Sequence, residues 1–171
     1  MDTVVSAPAA LTERIAARLE CLGPPRLAAR GASLALGPRH GAAEPVEMLL
    51  RIVAAGPQGL AFASLCAALW PRSSSRTCLA RFRANARALA LLAGIDSAPL
   101  LLEGDLAAVD RALLEVDSLA LEEALAPLLV PFADPAFLHG FEQPWALAAR
   151  LRIADKLARA ARRLAIQENP S

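Results

Sequence analysis

Five arginines crowd one stretch of the chain, Arg72, Arg76, Arg81, Arg83 and Arg87, and no acid interrupts them before Asp96. A guanidinium presents a planar fork of donors matched to phosphate or carboxylate oxygens, so the chemistry offered here is anion contact rather than bond making. At about 100° per residue, Arg76, Arg83 and Arg87 fall along one flank of a helix and Arg81 along the opposite flank, while Arg72 precedes it in a loop. Leu79, Phe82, Ala86, Leu89 and Ala93 share the face expected to pack, and Thr77, Ala80, Arg81, Ala84 and Ala88 point away from it. Two uses follow from this pattern. Flank arginines can contact phosphates while Thr77, Ala80, Arg81 and Ala84 approach base edges, alanine methyls suiting the thymine C5-methyl. Alternatively the arginines are solvated and the alanine strip docks another helix.

Other chemistry finds little support. No GxGxxG, Walker loop, GxSxG or HExxH occurs, so the chain is expected to be non-enzymatic and to carry no cofactor. His40 and His139 lie far apart beside Gly41 and Gly140, without a nearby cysteine or carboxylate pair, and read as loop histidines. Cys21, Cys66 and Cys78 are odd in number and form no CxxC, against a disulfide framework or a zinc site; Cys66 and Cys78 read as small core hydrophobes. Asp105, Asp110, Glu115 and Asp117 match no calcium loop and read as turn residues and a helix cap, so no metal is expected.

The elements that must position the arginines follow from the punctuation. The 171 residues suit one ordinary domain or two small ones, and a hydrophobic content of 56% with only 4% aromatics implies a core of aliphatic side chains. Residues 1–18 read as a mobile head with a short helix from Thr12 towards Leu19. Gly23-Pro24-Pro25, Arg30-Gly31 and Gly37-Pro38 then divide a meander of two or three weak strands. Glu44-Pro45 opens a helix that Gly56-Pro57 stops, a second spans Ala63 to Leu69, and a third, capped by Ser75, runs from about Arg76 to Gly94. Two short strands around Gly104-Asp105 follow, placed as a wing. Asp117 or Ser118 caps a helix reaching about Ala126, with Glu122 and Glu123 outward; Asp134-Pro135 starts a turn or short helix; Pro144-Trp145 opens a long helix to about Ile166.

LGPPRLAARGASLAL, LCAALWP, LLEVDSLALEEAL and FLHGFEQPWALAARLRIADKL, in that order and spacing, resemble the OmpR/PhoB-type winged-helix regulators of the SARP class followed by the start of a bacterial transcriptional activator domain. The likeness covers roughly Leu19 to Leu164, and Phe137, Leu138, Gly140, Pro144, Trp145, Arg150 and Leu151 fall on the family's pattern. It implies a mainly α chain with small β-sheets, built as a winged helix-turn-helix over residues 19–116 plus a C-terminal helical segment over 117–171. It further implies duplex DNA as ligand, regulation of bacterial transcription, and RNA polymerase or another regulator as a protein partner. DNA-binding residues would be Arg72, Arg76, Thr77, Ala80, Arg81, Ala84 and Arg87. Two departures stand out. The family's activator domain continues through further helical hairpins, which makes this chain a truncated or reduced relative; and its reading helix carries alanines where relatives carry more cations. The rival expectation is a protein-protein interaction module of the same fold that has lost DNA binding, within a larger regulatory or secretion-linked assembly.

The last helix sorts Arg152, Lys156, Arg159, Arg162 and Arg163 onto one face, expected to be solvated, and Leu147, Leu151, Ala154, Leu157, Ala161 and Leu164 onto another. With no later segment to cover them, Leu147, Leu151, Leu157 and Leu164 are expected to bind a partner, a two-fold homodimer being the default, unless the helix folds back on Trp70 and the Asp117 helix. Trp145 is expected in the core, and Arg150 to bond backbone carbonyls or Glu142. No signal-peptide pattern occurs, and the longest uncharged stretch, Ile52 to Pro71, is broken at Gly56–Gly59 and falls short of the about 20 residues a bilayer needs. A cytoplasmic protein with no membrane contact is the expectation.

Overall fold

A computed structural model describes residues 15–37, 43–124 and 137–167. Strands β1 (Ala17–Glu20), β2 (Arg26–Ala29) and β3 (Ala32–Ala35) open the chain, followed by α1 (Ala43–Ala55), β4 (Leu60–Ala61), α2 (Phe62–Leu69) and α3 (Ser75–Ala93). Then come β5 (Leu100–Glu103), β6 (Leu106–Val109), β7 (Leu114–Val116), α4 (Asp117–Ala124) and α5 (Pro144–Gln167). The strands form two sheets, ordered β3-β2-β1-β7 and β4-β6-β5.

With seven strands and five helices among the described residues, this is an α+β fold, and the expectation of a mainly α chain is corrected. The cause is long-range pairing. Leu60–Ala61 and Leu114–Val116 are too short to show a period of their own; they become strands because β4 pairs with β6 and β7 pairs with β1. Ala17–Glu20 is likewise a strand, not the end of a helix begun at Thr12, and residues 12–14 lie outside those described. Its alternation puts Ala17 and Leu19 inward and Arg18 outward, and the parallel register Arg18↔Glu115 sets opposite charges side by side.

The core is aliphatic, as the composition requires. Leu49, Leu50, Ile52 and Val53 of α1 lie buried with Leu65, Phe82, Leu89, Leu100, Leu114 and Val116. Gly59 marks the tightest backbone approach, since a Cβ there would sit 2.5 Å from the Ala107 carbonyl oxygen. That clearance, at a φ of +78°, is what lets β4 reach β6.

The C-terminal part is held by polar clamps. Both Asp117 carboxylate oxygens accept backbone N–H groups, from Cys21 at 2.8 Å and Leu22 at 3.1 Å, tying the start of α4 to the end of β1. The Leu138 N–H donates to the Cys21 carbonyl and that of His139 to the Gly23 carbonyl, so residues 137–139 close over the same corner. Arg150 secures them: its guanidinium donates to the carbonyls of Phe137, Leu138 and Phe141, each at 2.7 Å, and Glu142 lies 3.8 Å away. Both expected types of partner for Arg150 are therefore present. Trp145 is half-buried against the core beside Phe141, with the Arg51 guanidinium 5.1 Å above its ring.

Two expectations for this region are corrected. Glu122 does not face solvent; its side chain is 1% exposed and meets Arg152 at 3.0 Å and Lys156. Arg152 also donates to the Ala54 carbonyl at the end of α1, where a cation complements the negative helix end. So part of the supposedly solvated basic face of α5 is half-buried against Glu122, and α5 packs on α1 with Ala146, Ala149 and Ile153 buried. The leucine face is only partly free: Leu147 is 40% and Leu151 72% exposed, but Leu157 packs against the core, and the side chain of Leu164 lies outside those described. The Asp134-Pro135 turn and His40 also fall outside the described residues.

Candidate nucleic-acid interface

Three devices fix α3. Phe82 meets Phe62 edge-on at 5.7 Å, the Asn85 amide donates to Glu44 at 2.8 Å, and Cys78, Ala86, Leu89, Ala90 and Ala93 are buried along the same side. The turn from α2 is anchored by buried Trp70, whose backbone N–H donates to the Cys66 carbonyl and whose carbonyl accepts from the Ser73 backbone N–H. Ser74 rather than Ser75 caps the helix: its hydroxyl oxygen accepts the Thr77 N–H at 3.3 Å and lies 3.0 Å from the Thr77 hydroxyl. The cap moves back one residue because Ser75 already lies in the helix, whereas Ser74 has the extended backbone that an N-cap needs. Gly94 ends the helix in the left-handed region.

The opposite side of α3 is open. Arg72, Arg76, Thr77, Ala80, Arg81, Arg83, Ala84 and Arg87 are all exposed, so every residue expected to face DNA lies on the surface. None of the five arginines makes an ion pair or side-chain hydrogen bond to another described residue. Arg76 stands in the first turn, which contains no acid, so the positive helix end and the cation reinforce one another.

Sequence reasoning missed one member of this face. Leu91, 83% exposed, lies at the far end of the strip begun by Ala80 and Ala84, seven residues after Ala84. Helical spacing already held that signal, but Leu91 sits among Leu89 and Leu92 and reads as core. Beside α3 the β5–β6 turn presents exposed Glu103 and Asp105, an acidic tip where a wing would stand.

Cysteine chemistry is damped here. Burial first, and then the neighbouring Cys78 thiol, push Cys66 up to about 11, and burial together with the Asp117 carboxylate raises Cys21 well above the ordinary thiol range. Both remain protonated at neutral pH, the state that is a poor nucleophile and metal ligand. Among the described residues no group of three or more His, Cys, Asp or Glu could hold a metal ion, and no helix is long and apolar enough to cross a membrane. No protein-family model matches the chain, and no curated protein matches it.

Proposed function

We propose that the chain binds duplex DNA through α3, in the manner of the winged helix-turn-helix regulators it resembles, and that it regulates bacterial transcription in the cytoplasm. One observation carries this reading: five exposed arginines without a described protein partner, Arg72 and Arg76 at the positive end of α3 and the others along its length, frame a strip of small side chains on a rigidly packed helix. A fold gains nothing by gathering unneutralised cations there, whereas a phosphate backbone neutralises them and releases its counterions. Arg72, Arg76 and Arg87 serve as phosphate contacts, with Arg83 on the same flank. Thr77, Ala80, Arg81 and Ala84 face the base edges, and the small Thr77, Ala80 and Ala84 side chains let the helix sit deep in the major groove. The acidic β5–β6 tip keeps that hairpin off the phosphates, so α3 carries the binding.

The test is a salt titration with a duplex enriched from random sequence. With three or four phosphate contacts, affinity falls about 40-fold or more between about 50 and 200 mM salt. Binding that ignores salt, or none at any salt, favours a protein-protein interaction module. The exposed Leu91 is the feature that recommends this second reading, since an apolar tip on a small-residue strip suits a helix partner.

A further inference from the structure

Between α3 and β5 runs a groove of about 430 Å³. Its floor is apolar: Phe82, Ala86 and Leu100 are buried, and Leu101 and Leu102 are half-buried. Arg83 and Arg87, one helical turn apart, line its rim, and the lining includes no acid. Neither guanidinium has a partner among the described residues. An apolar trough beside two unneutralised guanidinium forks is the complement of a molecule with an aliphatic body and one carboxylate end. The volume lies towards the lower end of the range for small-molecule sites, about 300 to 1,000 Å³, which suits a single chain rather than a large ring system.

We propose that this groove binds a medium-chain aliphatic carboxylate, its chain lying on the half-buried Leu79, Leu101 and Leu102 and its carboxylate held by Arg83 and Arg87. Binding of the acid stands apart from the DNA reading. Its consequence rests on that reading: the carboxylate occupies two guanidinium groups on the phosphate-facing flank of α3, so acid and duplex compete.

Calorimetric titration of the full chain with sodium decanoate, kept below its self-association threshold, tests the site. The expected result is saturable one-to-one binding, weaker for octanoate by about twofold per methylene removed, because the chain is only partly covered and full burial would give about fourfold. Decanol, which has the same chain without the charge, should bind at least about tenfold more weakly. The Arg83→Gln and Arg87→Gln double variant alters only exposed side chains; it should lose about tenfold or more in decanoate affinity while binding decanol as before. No saturable decanoate binding, decanol binding as tightly as decanoate, or an unchanged double variant would each overturn the proposal. A final arm adds decanoate to the protein–duplex complex. Decanoate bound without any duplex affinity sustains the groove and removes the DNA reading; duplex bound without decanoate affinity does the reverse.

Discussion

Helix α3 carries four cations and α5 six, and the two helices use them in different ways. On α5, Arg150 is spent on three backbone carbonyls, Arg152 and Lys156 on buried Glu122, and Arg159 on Asp155 one turn earlier. On α3 no cation has a described partner, although both helices show the same amphipathic alternation in sequence. Counting arginines therefore does not locate a binding surface. What separates the helices is where the carboxylates and free carbonyls fall in three dimensions, and among the described residues none of them meets an α3 arginine. Arg150, Arg152 and Lys156 of α5 are engaged within the fold, while the α3 arginines have no partner among the described residues.

Substitutions can break that contrast. The largest effect should come from the buried side of α3, where Phe82→Ala removes the edge-on partner of Phe62 and costs about 3–5 kcal/mol in a denaturant titration. A cost under about 1 kcal/mol would mean that α3 is not seated as described. Next, Arg150→Ala should cost about 3 kcal/mol, because three carbonyls lose a charged donor. Glu122→Gln should cost about 2 kcal/mol, less than a fully buried pair, because Arg152 and Lys156 are each about one-third exposed and can regain water. Either change leaving the melting curve untouched would erase the distinction between the helices. Smaller still for stability is Arg81→Ala with Arg87→Ala, expected within about 0.5 kcal/mol per site, yet duplex affinity should fall and the salt slope flatten. Unchanged duplex affinity with a normal melting curve would remove these arginines from the interface. The faintest response belongs to Cys66: iodoacetamide should barely modify it near neutral pH, and the rate should climb as pH approaches about 11. Rapid labelling at neutral pH would mean that α2 and α3 open there.

Much of the framework was legible because its signals are local. Gly56 follows the end of α1, Gly94 ends α3, and Gly104-Asp105 sits in a hairpin turn, each stating its own conformation. The start of α1 lies at Ala43, two residues before the expected Pro45, which is tolerated in a first turn. The exposure of the α3 arginines also followed, since helical spacing from Phe82 and Leu89 settles which side is buried. What stayed hidden depended on partners far along the chain. Glu122 looks like any acid near a helix start until Arg152 and Lys156 arrive thirty and more positions later. β7 has no pattern apart from β1, and the groove beside Arg83 exists only because β5 lies along α3. Leu157 reads as part of a free face for a related reason: the stripe on α5 is continuous in sequence, and only contact with the core divides it.

The parallel pairing of β1 with β7 also sets the order of events during synthesis. β1, β2 and β3 can form their antiparallel meander as soon as they emerge, but Ala17 meets Leu114 only after a loop of roughly a hundred residues has closed, a slow step by its entropy. Until the ribosome has released β7, the outer edge of β1 presents unpaired amides and carbonyls to any neighbouring strand. The interval between those two moments is when a nascent chain is most exposed to pairing with a copy of itself. Asp117, which follows β7 directly and fastens onto Cys21 and Leu22, is the latch that ends it.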